Sequence, residues 1–368
     1  MKKKSLFAML LSLALILSLL AGCGSAKQET PAATAAPAAE TAPQPAEQPA
    51  EKPAASEDKP VKLAMSIGHY PKASAFGQAG QFFIDKLAEY SNGTITADLY
   101  TDNALGDIAS QVDGVVDGSI DILVYGDSYF AVYVPELQAF ELPFLYESTA
   151  EARHVIDSAA GDYIRAKFEG TGIFIPGFWE IGMRVLANNG EPITSIEKLQ
   201  GVRMRVLPVE IQVYAWELFG AKVFAIDGSE LFTALQTGVV DAHDNPLEGI
   251  YSSKTYEVQD NIILTNHVFT PAAFGVSEKT WDKLSDNQKE AFLKAFEEAT
   301  VYFRDLATKA EQEALVELKK AVNVVEDPDL SGFQELAPQV YDEFLRKYPS
   351  AEEFLNMIYA ARDEYRGK

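Results

Sequence analysis

A break in composition at Val61 decides what this chain can fold into. Residues 24–60 contain no valine, isoleucine, leucine, methionine or aromatic residue and are mostly alanine, proline, glutamate, glutamine, threonine and serine. Such a stretch cannot bury enough apolar surface to offset the entropy of ordering, so it reads as a disordered tether. Fully polyproline-like, Ser25 to Pro60 would reach about 110 Å. Everything with a core must lie in residues 61–368.

The segment before the tether has a different character. Lys2, Lys3 and Lys4 precede an almost wholly apolar run, Leu6 to Leu20, followed by Ala21-Gly22-Cys23. The run is shorter than the roughly 20 residues of a spanning helix, and residues 1–22 are expected to be a signal peptide. Small residues directly before a cysteine resemble the lipobox of bacterial lipoproteins. That resemblance implies cleavage before Cys23 and its lipidation, with residues 23–60 forming the lipidated cysteine and tether of an extracytoplasmic, membrane-anchored protein. An uncleaved short anchor is the alternative. Cys23 is the only cysteine, which removes disulfides and cysteine catalysis from consideration.

The chain carries 31 basic and 54 acidic residues, a formal charge of −23. Loss of residues 1–22 would remove three lysines and no acid, and take the charge to −26. Phosphate binding needs a basic surface, so nucleic acid is not an expected partner. An anionic ligand would have to be held by local cations against a repulsive background.

From Val61 onward the pattern alternates strands and helices. Val61–Ile67, Ile95–Tyr100 and Ile120–Tyr125 read as strands. Between them lie a helix over Ala73–Ser91, closed by Asn92-Gly93, and another from Asp107 to about Val116. A helical stretch over Glu151–Phe168 and a strand over Ile173–Phe178 follow. A second set has strands at Met183–Ala187, Arg203–Val206, Lys222–Phe224 and Val239–Ala242, with helices over Val209–Phe219 and Ser229–Thr237. Successive β-α-β units imply right-handed crossovers and a mostly parallel sheet. Asp286–Ala321 has no proline or glycine. As one helix it would span about 50 Å, enough to run along two lobes. Helices are also expected at Phe333–Lys347 and Ala351–Tyr365. The fold class is therefore α/β in two lobes, with a long helix crossing both.

Two such lobes bind ligands at the carboxyl ends of their strands, in the crevice between them. Those ends carry His69 and Tyr70, Tyr125-Gly126-Asp127, Trp179 and Glu180, Arg205, and Asp244-Asn245. In an acidic chain, Arg205 on a strand end is a candidate carboxylate clamp, because a guanidinium presents a planar fork that fits a carboxylate bidentately. Asp127 and Glu180 could accept hydrogen bonds from ligand hydroxyls or amines, and Trp179 could stack on a ligand. Each also has a plain reading: an interlobe salt bridge for Arg205, a core residue for Trp179, solvated acids for Asp127 and Glu180.

Ordered motifs run through the whole of this region: Leu105-Gly106-Asp107, Asp117-Gly118-Ser119-Ile120-Asp121, Glu141-Leu142-Pro143-Phe144, Gly182-Met183-Arg184, Leu199-Gln200-Gly201-Val202-Arg203-Met204-Arg205-Val206, Glu230 to Asp241, Asn245-Pro246 and Thr265-Asn266-His267. With them, residues 61–368 resemble the TRAP-transporter (DctP-type) solute-binding proteins. The resemblance implies a periplasmic-binding-protein-like fold. One lobe would comprise 61–181 plus about 271–310, the other 182–270 plus about 311–368. It implies a small organic acid held by Arg205, an amide contact from Asn245, a second arginine at Arg184, no cofactor, and a TRAP-type membrane permease as partner. The chain departs from the family's usual Gln-Glu-Asn-Pro in having His243-Asp244-Asn245-Pro246, and it carries Leu207 before Pro208.

Two other functions compete. Gly126-Asp127-Ser128 resembles the nucleophile block of GDS-type esterases, but none of His69, His154, His243 and His267 has an aspartate three residues before it. No His-Glu-x-x-His zinc motif occurs. A binding protein serving a membrane sensor would have the same pocket.

Overall fold

The structure, a computed structural model, describes residues 58–368. The expected signal peptide, Cys23 and all but the last residues of the expected tether lie outside the described residues.

Ten strands form one mixed sheet in the order β2-β1-β3-β9-β5-β8-β6-β7, with β4 and β10 also paired to β9. They are β1 (Val61–Ser66), β2 (Ile95–Tyr100), β3 (Ile122–Gly126), β4 (Ile173–Phe174), β5 (Phe178–Asn188), β6 (Arg203–Val206), β7 (Lys222–Ala225), β8 (Ala242–Asn245), β9 (Asn261–Ser277) and β10 (Asn323–Val325). Each half contains a parallel trio, β2-β1-β3 in one and β7-β6-β8 in the other. The expected parallel units are present, but they are not the whole sheet. β5 and β9 run between the halves, antiparallel to each other and to the trios they join.

These two crossing strands are bent where they need to be. Pairing of β5 with β9 shifts between Glu180 and Gly182, and again between Arg184 and Leu186. Gly182 sits at φ +123° at the first shift, a backbone region open to glycine. Asn266 sits at φ 42° near the second. Bulges of this kind bend a strand and increase its twist, which lets one pair of strands serve two lobes.

The helix Asp286–Ala321 forms as a single 36-residue element. Ser285 and Gln288 make a reciprocal capping box at its start. Its buried residues follow helical spacing. Phe292, Phe296 and Phe303 join Leu63, Met65, Phe83 and Phe274 in the first lobe's core. Ala314 and Leu318 join Val185, Leu247 and Ile250 in the second. The opposite face of the sheet carries a larger core that includes Phe140, Leu186, Met204, Trp216 and Phe269.

The C-terminal segment departs from the expected lobe boundary. Ser331–Lys347 packs on Glu210–Leu218 of the second lobe, but the last helix, Glu352–Tyr365, packs on Thr149–Ile156 and Ala159–Ala166 of the first. Phe354 stacks edge-on against Phe140. Burying that aromatic face draws the chain end back across the molecule. The single helical stretch expected over Glu151–Phe168 is two helices, each with its own serine cap, Ser148 and Ser158.

Candidate ligand-binding site

β6 places Arg203 and Arg205 on the same face, two residues apart. Their surroundings differ. Arg203, toward the strand's start, is spent on Asp241 in a bidentate pair at 2.8 and 2.6 Å. Arg205, at the carboxyl end, is 1% exposed. Its Nε donates to the Ile226 carbonyl at 2.7 Å. Its buried Nη2 has no partner in the protein. Burial, and then the Arg184 charge, lower its pKa to about 10. It remains a cation at neutral pH, without a carboxylate of its own.

Arg205 opens on a cavity of about 350 Å³, within the range of small-ligand sites. His69, Tyr70, Arg184 and Asn245 line it as well. His69 bonds through Nδ1 to the Tyr125 hydroxyl at 2.5 Å. Gly249 leaves room for the Asn245 amide, since a Cβ there would lie 3.0 Å from Asn245 Nδ2.

Arg184 reaches the cavity but is already satisfied. Its Nε donates to Asp244 Oδ2 at 2.8 Å, and its Nη2 to the Asp244 carbonyl at 2.7 Å. His267 Nε2 lies 3.1 Å from the same carboxylate, and its Nδ1 lies 2.7 Å from the Thr265 hydroxyl. Burial lowers the His267 pKa. A neutral ring that donates from Nε2 and accepts at Nδ1 fits both partners. Burial opposes the Asp244 charge, but Arg184 and His267 outweigh it and hold this carboxyl well below the usual range. Arg184 thus stands in a compensated network, and Arg205 does not.

His243 pairs in register with Arg205 across β6 and β8. It is fully buried, and neither ring nitrogen has a partner in the protein. Burial, with Arg205 beside it, lowers its pKa to about 3. It is a neutral imidazole against the clamp's back.

Three residues expected at the crevice lie elsewhere. Trp179 is in the first lobe's core, stacked on Phe303 at 4.5 Å and donating to the Thr300 hydroxyl at 3.0 Å. Alternation along β5 turns it to the helix side of the sheet. Glu180 is held by Arg153, whose Nε donates to it at 2.6 Å, and it lines a separate cavity. Asp127 is fully buried beside Glu141. Burial, and then the Glu141 charge, raise its pKa well above the ordinary 3.8. It is an interior carboxyl, away from the ligand cavity.

Other residues at the site gave no motif in the sequence. Tyr129 follows β3 and donates to Asp227, which follows β7, at 2.9 Å. Asp227 and Glu248 each follow a strand's carboxyl end, and that position was the available signal. Among the described residues, no group of three or more His, Cys, Asp or Glu side chains is placed to hold a metal ion.

Two lobes joined by crossing strands, with a buried cation facing a cavity between them, define a solute-binding protein. The family described as "Bacterial extracellular solute-binding protein, family 7" (DctP) matches residues 67–347; the chain belongs to this family, the DctP-type binding proteins of TRAP transporters. It is 30% identical over 282 residues to the 2,3-diketo-L-gulonate-binding periplasmic protein of Escherichia coli, covering 76% of this chain and 86% of that protein. It is likewise 30% identical over 271 residues to a sialic acid-binding periplasmic protein of Vibrio cholerae, covering 72% and 83%. A TRAP periplasmic solute-binding protein from Polaromonas sp. JS666, bound to D-erythronate, superposes with TM-score 0.76 at 29% identity, covering 82% of this chain and 98% of that one. This is a family of binding proteins rather than of enzymes.

Proposed function

We propose that this protein captures a small hydroxylated carboxylate outside the cytoplasm and delivers it to a TRAP-type permease. The observation that carries the reading is Arg205: a buried guanidinium with an unpartnered Nη2 at the wall of a ligand-sized cavity. An incoming carboxylate supplies the missing anion, and two parallel N–H···O bonds suit its shape. Asn245 adds an amide contact, and Arg184, fixed by Asp244, adds positive potential. The relatives named above support the ligand class, since their ligands are sugar acids and related carboxylates.

Calorimetry with a library of small carboxylates tests this. The wild type binds at least one aldonate or uronate. Arg205→Ala weakens it by about a hundredfold or more, as expected for losing a buried charge partner. Arg205→Lys recovers little, because an ammonium lacks the fork. Equal affinity in Arg205→Ala and wild type would overturn the clamp.

We also infer that lipidated Cys23 anchors the protein to the membrane. The lipobox-like residues before it support this. Cys23→Ser should move the protein from the membrane fraction to the soluble one, and a variant that stays membrane-bound contradicts the anchor.

A further inference from the structure

The ligand cavity is electrically polar. Arg205 and Arg184 are its cations, and Glu248 is the one carboxylate among the residues lining it. Tyr70 feels both Arg184 and Glu248. Glu248 also belongs to a second boundary. A separate cavity of about 360 Å³ lies alongside the first, and Phe76, Ile181 and Glu248 line both. Beyond this partition the second cavity has mixed walls, with Met183, Phe303 and Ala307 beside Arg153, Glu180 and Glu311.

The backbone of Glu248 is fixed from behind. Glu311, on the long helix, accepts the N–H of Leu247 at 3.3 Å and that of Glu248 at 3.1 Å. The side chain is not consumed in an ion pair with any described residue. Burial raises its pKa above the ordinary 4.5, with the Ser252 hydroxyl acting in the opposite direction. Its oxygens can accept hydrogen bonds from the hydroxyls of a ligand in the cavity. The hydroxyls of Ser229, Ser252 and Ser253 stand around the same cavity.

We propose that Glu248 is the residue that sets ligand specificity: from the partition between the two cavities it receives the hydroxyls of the acid whose carboxylate Arg205 holds. The protein thereby selects hydroxylated acids over alkanoates of equal carbon number. This rests on the carboxylate-capture reading above and adds a second point of recognition. An alkanoate can satisfy Arg205 but brings apolar carbon against the half-buried Glu248 carboxyl and gives it no donor, a cost of the kind that lets hydrogen-bonding sites reject analogues lacking the group.

The test is calorimetry on the full chain with erythronate, gluconate and galactonate against butanoate and hexanoate. In the wild type the best aldonate binds more tightly than the alkanoate of the same length. Glu248→Leu lowers that preference by about tenfold to a hundredfold, the loss of one hydrogen-bonding group facing the ligand. Glu248→Gln restores most of it, since an amide donates and accepts from the same position. Glu248→Ala keeps the backbone bonds to Glu311 and serves the same purpose if the leucine variant does not fold. An unchanged preference in a folded Leu or Ala variant overturns the proposal, and so does a wild type that prefers alkanoates. Failure of the capture reading looks different: Arg205→Ala would then bind every acid as the wild type does.

Discussion

Arg205 and Arg184 are both 1% exposed, yet they differ in what removing their charge would do. Arg184 shares Asp244 with His267, and every charge in that group has a counterpart. Arg205 has a backbone carbonyl and a neutral His243 beside it. A buried charge without a partner costs stability, while a compensated pair is damaged by losing either member. Two substitutions should therefore move in opposite directions. Asp244→Asn strands the Arg184 charge and should lower the free energy of unfolding by about 3–5 kcal/mol, read from urea titration. Arg205→Met, similar in length and uncharged, should raise the melting temperature of the ligand-free protein while abolishing the shift that ligand produces. A melting temperature that falls in both variants would show Arg205 to be structural, contrary to the clamp.

At the scale of elements, legibility followed chemistry that is local. The helix Asp286–Ala321 was plain because nothing in it breaks a helix and Ser285 caps it. β6 and its arginine were plain because a short β-branched and basic run ends in Leu207-Pro208. β9 was not legible as one 17-residue strand. It contains Pro271, which cannot donate to a ladder, and a polar Thr265-Asn266-His267 that reads as a turn. Both are accommodated by tertiary structure: Pro271 pairs with Glu180 where the register shifts, so its missing N–H falls at an irregularity. Asn266 takes a left-handed conformation within the strand, and His267 meets Asp244 from the same stretch. The site divided in the same way. Arg205 and Asn245 carried motifs. Trp179 and Glu180 lay at the start of a strand whose bulge and facing depend on β9, so sequence placed them at the crevice and packing took them elsewhere. Glu248 and Asp227 were two acids among 54, and only their position in the folded chain separates them from the others.

At the scale of the whole molecule, the question is what holds the lobes together over the ligand. β5, β9 and the long helix join them on a permanent basis. Tyr129 and Asp227 join them across the cavity, from the ends of β3 and β7. Burial works against the Asp227 charge, but the backbone N–H and hydroxyl of Ser229, the Tyr129 hydroxyl and Arg205 together keep its pKa below the ordinary value. The contact is thus a hydroxyl donating to a carboxylate, a class that contributes about 1.5–3 kcal/mol. Parting the lobes would break it, so that energy would favour the closed form alone. A ligand can drive closure only by its own preference for that form, and the Tyr129–Asp227 bond adds to it. Tyr129→Phe removes the hydroxyl and keeps the ring that packs on Tyr125. It should shift the balance toward the open form by about tenfold to a hundredfold. Encounter with ligand occurs before closure, so the change should appear as faster release with little change in the rate of binding. Stopped-flow displacement of a bound acid reads the two rates separately, and a release rate equal to that of the wild type would mean the bond is not a latch.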